Sequence, residues 1–295
     1  MQISKTQTGF LLPLGFIILY GSGFTATKYG LQNMSPMAFL LIRFFIAFIL
    51  LVCIAHFLKV AWPKNLREYM HIAIAGCLTV ATFSIGVFVS IDLGVSPSLN
   101  ALIIALQPAL VSILAMKVLK ENISKKHWIG LMIGFVGVSF VVMTKFDFST
   151  NISYGIFMSI FALLGLSVGN LYQKRYCSTM NLFSGGAVQT LVSALLVLPL
   201  MFVYEEVRFN FNMDLVYAIL YMAVAVSIGA LSLLYIMIEK GEVSKVSSIF
   251  YLIPVCAVIM SYLFFDESVD LSVVAGILAI LLGITLINKK GKISE

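Results

Sequence analysis

Ten nearly uninterrupted apolar stretches, at 9–28, 36–58, 68–93, 97–119, 126–143, 152–174, 182–204, 214–238, 244–265 and 270–288, run along this sequence. Each is about 20 residues long, the length a helix rising about 1.5 Å per residue needs to cross a hydrocarbon layer of about 30 Å. The runs are continuous rather than alternating, which excludes a membrane β-barrel. Only 11% of the 295 residues are charged, against roughly 25% in an ordinary soluble domain, and the mean hydropathy is +1.05. These numbers exclude a water-soluble globule and leave no length for a second, soluble domain. The first run carries Tyr20, Thr25 and Lys28 without a small-residue cleavage pattern, so it is expected to be a helix of the mature protein and not a signal peptide.

The charges are sorted. If the chain starts inside and alternates, all 19 basic residues fall inside except Lys28, Lys145 and Arg208, which fall outside, and Arg43, which falls within a span. Basic residues concentrate on the cytoplasmic side of membrane proteins, so both termini are expected to be cytoplasmic. The net charge of +6 is thus a topology signal; a nucleic-acid surface would need a soluble basic face, and none is visible. Cys53, Cys77, Cys177 and Cys256 have no metal-ligand spacing and read as small buried hydrophobes, while His56, His71 and His127 sit near inner helix ends with nothing to pair them. No metal and no cofactor is expected.

Gly23, Lys28, Ser98, Pro108, Glu121, Gly130 and Gly137 recur as Gly169, Lys174, Ser244, Pro254, Glu267, Gly276 and Gly283, each pair separated by 146 positions. A shared offset across Lys, Pro and Glu marks a duplicated five-helix unit, with 1–147 and 148–295 as the two copies. Five is odd, so the second copy enters the membrane from the opposite side. The expected fold is therefore an all-α integral membrane protein of ten transmembrane helices in two inverted five-helix repeats around a central cavity. Two halves that exchange slightly different conformations open a site between them alternately to either side, and this favours alternating-access transport over a static pore.

The same residues resemble the drug/metabolite transporter superfamily, specifically its EamA-like ten-helix exporters, along essentially the whole chain. The resemblance is carried by a proline-bearing helix, a Glu-terminated end and a following glycine-bearing helix, at Ala101 to Gly137 and again at Ser247 to Gly283. Tyr20-Gly21-Ser22-Gly23-Phe24, then Lys28, then Leu41-Ile42-Arg43-Phe44 match the family's opening, with Tyr20 where tryptophan is usual and Lys120 and Asp266 where glycine is usual before the glutamate. The resemblance implies an inner (plasma) membrane exporter of small metabolites, with amino acids and related compounds as the leading class. A flippase or exporter of lipid-linked or lipophilic compounds is the alternative it also allows.

Pro108 and Pro254 lie about 11 residues into their helices, near the bilayer midplane. Each deprives the carbonyl four residues earlier, at Ile104 and Phe250, of its helical donor, so helices four and nine are expected to line the path. Polar residues at similar depth avoid lipid; these are Tyr20, Ser22, Thr25, Gln107, Asn170, Tyr172, Gln189, Ser227, Ser232 and Tyr251, and all but Ser227 are candidate solute contacts, Gln107 and Tyr251 foremost. Gly21 and Gly23, with the two prolines, are candidates for close packing or bending. Arg43 either meets a substrate anion or snorkels to the outer interface, its stem pointing toward the helix N-terminus. Lys28 and Lys174, at opposite mouths, either attract anionic solutes or anchor helix ends. Gly130, Gly134 and Gly137 form a small face that suits packing within a monomer or, alternatively, a dimer contact.

None of the 13 acidic residues falls deep in a span, so no carboxylate relay for protons or sodium is visible. There is no phosphate-binding G-x-x-x-x-G-K-[ST] loop, no H-E-x-x-H and no nucleophile elbow. With no catalytic residue identified, a secondary carrier of a small solute is expected, and an intramembrane enzyme is disfavoured.

Overall fold

The computed structural model describes residues 5–118, 124–145, 150–240, 248–266 and 269–288. They form ten helices: α1 (Lys5–Leu31), α2 (Pro36–Phe57), α3 (Leu66–Asp92), α4 (Pro97–Val118), α5 (Lys125–Lys145), α6 (Thr150–Tyr176), α7 (Leu182–Tyr204), α8 (213–240), α9 (248–265) and α10 (Leu271–Asn288). These match the ten apolar runs to within a few residues. Among the described residues there is no strand, only an isolated bridge between Met34 and Phe209. By length and composition α2, α3, α4, Asn151–Tyr176, α7 and Met213–Leu234 are long enough to cross a membrane, and Trp128–Phe140, Ile253–Phe265 and Leu271–Gly283 are shorter apolar helices. Glu121 and Glu267, one of the repeated pairs, lie outside the described residues.

Helix starts are written by local polar chemistry, because the first N–H groups of a helix have no partner within it. Pro36 and Pro97 take first-turn positions, where a missing N–H costs nothing, and the Ser96 hydroxyl accepts from Leu99 N. Asn65, Asn181 and Asn212 cap α3, α7 and α8 through their side-chain oxygens. Gly94, at φ +99°, makes the tight turn from α3 to α4 that a side chain would resist.

The irregularities obey the repeat. A π-helical segment, Cys77–Thr82, interrupts α3; shifted by 146 it becomes 223–228, inside the π-segment Tyr221–Ala230 of α8. The chain of α4 breaks over Ala105 and Leu106 before Gln107-Pro108, and at the equivalent place in α9 a 3₁₀ turn, Ser248–Leu252, precedes Ile253-Pro254. Proline lacks the donor that would continue the ladder, which is why both helices loosen one turn ahead of it.

Packing obeys it too. α2 lies on α7, α5 on α10 and α4 on α9, while α1 of the first half packs on α8 and α9 of the second, and α6 of the second on α3 and α4 of the first. The halves are therefore interlocked. A Cβ on Gly23 would meet Val226 of α8 at 3.3 Å, and one on Gly169 would run into Thr79 of α3, so both repeated glycines sit where the halves touch. The Gly130, Gly134 and Gly137 face is filled by α10, through Ala279, Gly276 and Gly283. Large apolar side chains such as Ile129, Phe135, Phe157, Leu195 and Leu278 face outward, and the buried set includes many polar groups, the arrangement expected where lipid is the solvent.

Candidate functional site

A small cavity lies between α1, α2, α3 and α8, lined among others by Tyr20, Gly23, Thr27, Arg43, Thr79 and Ser84. Its volume is about 30 Å³, room for a single water. Both π-segments contribute to it: Val80 from one and Val226 from the other line it at positions exactly one repeat apart. A π-turn shifts the register of the following turn and re-aims its side chains, and such segments are frequent at functional sites.

Arg43 is the charged centre of this site. It is only 5% exposed, and its Nε donates to Ser227 Oγ at 2.8 Å. Its guanidinium sits 5.5 Å from the Phe44 ring and 5.7 Å from the Phe88 ring. Among the described residues no carboxylate faces it. The side chain has turned inward, so of the two sequence alternatives, anion contact or snorkelling to the interface, the observed conformation is the inward one. Ser227 also lines a second, smaller cavity with Gln189, Thr190 and Ser232, and Val80 and Leu231 are shared by the two. Gln189 is the repeat equivalent of Arg43, 146 positions on, and its Nε2 donates to Gln173 Oε1. One half thus places a cation in the first cavity and the other a neutral amide in the second, with Ser227 of the second cavity bonded to Arg43 of the first.

The remaining sequence candidates separate. Tyr20 is buried at the cavity wall against Phe83 and Phe250, with ring centroids 5.8 and 5.5 Å away. Gly23 lines the cavity, whereas Gly21 packs α1 on α9, where a Cβ would come within 2.8 Å of Cys256 Cβ. Ser22 faces away: its hydroxyl donates to Ile18 O and pairs with Tyr221 OH at 2.6 Å. Tyr172 lies toward the C-terminal end of α6, where its hydroxyl meets His71 Nδ1 at 2.7 Å, so His71 is paired after all. Thr25 and Asn170 are buried, and neither Thr25 Oγ1 nor Asn170 Oδ1 has a partner among the described residues.

Gln107 does not line the cavity. It is fully buried at the α4 break, and neither its amide nitrogen nor its oxygen has a partner among the described residues; Asn100, two turns earlier on α4, is in the same condition. The Tyr251 side chain lies outside the described residues. The described residues of helices α4 and α9 do not contribute to the walls of this small cavity. The cavity walls come from α1, α2, α3 and α8, because the two proline helices turn toward each other and present Phe250 to Tyr20 and Phe16. Thr27, Thr79 and Ser84 are cavity residues that the depth argument missed. Thr27 and Thr79 bond the carbonyls four residues back, at Gly23 and Ala75, as helical threonines commonly do.

The description of the EamA-like transporter family matches residues 7–143 and, a second time, 153–289. Among curated proteins the chain is similar to an uncharacterized transporter, YvbV, of Bacillus subtilis, 28% identical over 294 residues, which covers 99% of this chain and 94% of that one. It is also similar to the uncharacterized inner membrane transporter YedA of Escherichia coli K12, 23% identical over 85% of this chain and 82% of that one. A probable amino-acid metabolite efflux pump of Salmonella typhimurium is 21% identical over 94% of this chain and 93% of its own length. A solved crystal structure superposes with a TM-score of 0.75 at 15% identity, covering 95% of this chain and 97% of that one, which establishes likeness of fold.

Proposed function

This chain belongs to the EamA-like transporter family, and we propose that it exports small zwitterionic metabolites, amino acids or close relatives, from a cytoplasm that holds both its termini. The observation that carries the reading is Arg43: a buried cation between the two halves, facing no carboxylate among the described residues and sharing its cavity with Tyr20. A buried charge without a counter-ion is costly, and a substrate carboxylate would relieve that cost on binding. The printed name of the Salmonella relative, an amino-acid metabolite pump, points to the same chemistry. The halves 1–147 and 148–295 are the units that exchange shape; Ser227 is the polar contact on the guanidinium, and Gln189 and Ser232 line the small cavity next to it. None of the described residues that line this cavity is a carboxylate, which supports a reading of transport down a gradient or by exchange.

The test is counterflow of labelled amino acids into proteoliposomes, with and without an imposed proton gradient. Saturable, ionophore-insensitive counterflow is expected. Ionophore-sensitive accumulation overturns the uncoupled mechanism. Gln107→Ala and Tyr251→Ala are expected to slow counterflow without loss of membrane insertion; if both leave the kinetics unchanged, neither residue is near the solute.

A further inference from the structure

The two ends of the molecule carry the same architecture in opposite states. On the acidic face, the segment after α7 is strapped across the turn between α1 and α2. Phe209 pairs with Met34, Ser35 N donates to Arg208 O, Asn210 N donates to Asn33 O at 2.8 Å, and Arg208 is ion-paired with Asp92. The Glu205 carboxylate accepts from Met37 N and Ala38 N, which ties the strap to the start of α2.

Shifting by 146 relates this strap to residues 59–65 on the basic face and the α1–α2 turn to residues 177–181. There the geometry differs. The amides equivalent to those that Glu205 caps, Phe183 N and Ser184 N, are capped locally by Asn181 Oδ1, so the start of α7 needs nothing from the loop. Ser184 Oγ donates to Ala61 O, and between the two segments lies a chamber of about 310 Å³. That is some ten times the central cavity and at the lower end of the range for small-molecule sites, about 300–1,000 Å³.

We propose that this chamber is a loading vestibule that binds a small zwitterion before it moves to Arg43, and that the structure shows the carrier with its outer mouth latched and its inner mouth open. The inference rests on the carrier reading above. The lining supplies what a zwitterion needs: Lys64 for a carboxylate, Glu68 for an ammonium, and Trp62 and Tyr176 as aromatic walls for a side chain. Glu68 also accepts from Lys64 N and Asn65 Nδ2, which fixes its carboxylate at the mouth. The way inward runs along α7, past its first turn to the turns that follow. Asn181 and Ser184 line the chamber, Gly186, Gln189 and Thr190 line the small cavity beyond it, and Ser227 there holds Arg43.

Trp62 and Trp128 are the only two tryptophans in the chain, so Trp128→Phe leaves a single reporter in the chamber wall. In purified Trp128→Phe protein, each of the twenty common amino acids is titrated while Trp62 emission is followed, and the same preparation is assayed for counterflow. At least one amino acid should give a saturable change, weakened tenfold or more by Lys64→Ala with Glu68→Gln, and abolished by Thr179→Phe, which fills the chamber from an exposed position. An unshifted thermal transition in Thr179→Phe confirms folding.

An amino acid that is carried without changing Trp62 emission overturns the vestibule and leaves the carrier reading intact. A Trp62 response that survives Thr179→Phe overturns it as well. A response without counterflow of that amino acid keeps the vestibule and refutes export of that solute. A flat response together with no counterflow of any of the twenty refutes both.

Discussion

Replacing Arg43 with methionine separates a residue kept for transport from one kept for the fold. The guanidinium is 5% exposed, and taking such a cation out of water costs several kcal/mol even after relaxation. What it receives in return is one charge-assisted hydrogen bond, Nε to Ser227 Oγ, of about 1.5–3 kcal/mol. Two aromatic faces at 5.5 and 5.7 Å add roughly 0.5–1 kcal/mol each. The resident arginine therefore comes close to break-even. Methionine keeps the length, makes sulfur–aromatic contacts of about 0.3–1.5 kcal/mol with Phe44 and Phe88, and leaves Ser227 free to bond the carbonyl one turn back. The expected result is a thermal transition unchanged or raised by up to about 5 °C, taking 2–4 °C per kcal/mol. Transport should fall by thirtyfold or more, since leaving one partner of a buried charge pair alone costs about 2–5 kcal/mol. Arg43→Lys, which cannot hold Ser227 and a carboxylate with one planar fork, should restore only part of it. The assays are a melting scan in detergent and counterflow in proteoliposomes. A transition lowered by several degrees would make Arg43 a structural residue; undiminished transport would remove it from the solute path.

Two further expectations concern motion and packing. In a Cys53→Ser background, Met34→Cys with Phe209→Cys should form a disulfide on oxidation, because antiparallel bridge partners bring their Cα atoms to about 4.5–5.5 Å, within disulfide reach. Counterflow should stop on oxidation and return with reductant, and flux through the oxidised protein would mean this strap is not the outer gate. Gly137→Leu forces a side chain into Ala279 of α10, so the thermal transition should fall by the equivalent of about 1–3 kcal/mol. An unchanged transition would refute the close α5–α10 contact.

The ten helices and the repeat were legible because both rest on strong local signals. Apolar runs of spanning length have no soluble alternative, and an offset of 146 shared by Lys, Pro and Glu survives the abundance of glycine. Arg43 was legible as an intramembrane charge, but its rotamer was not, since the choice between Ser227 and the interface depends on α8 lying across from α2. The site walls were the least legible. A π-segment has no composition of its own: Cys77–Thr82 and Tyr221–Ala230 read as ordinary apolar helix, yet they carry Thr79, Val80 and Val226 to the cavity. Prolines, being visible, drew attention to helices four and nine, whereas the helices that line the cavity are the ones whose irregularity leaves no mark in the sequence.

Duplication alone does not make a carrier; the two states must also lie within reach of what a solute can supply. In this fold α1 rides on α8 and α9 while α6 rides on α3 and α4, so on the proposed exchange of shapes each half would take up the packing that the other now holds. What differs between the ends is a short set of polar devices. Glu205 caps α2 from a distant loop on one face, and Asn181 caps α7 locally on the other. A helix cap is worth about 0.5–2 kcal/mol, so the latch contributes a bias of that order. Moving a two-state equilibrium from 1:99 to 99:1 takes about 5.5 kcal/mol of differential binding, and smaller biases need proportionately less. A carboxylate reaching Arg43 in only one of the two states supplies an interaction of about 2–5 kcal/mol, enough to outweigh one cap and too little to trap the carrier in either state.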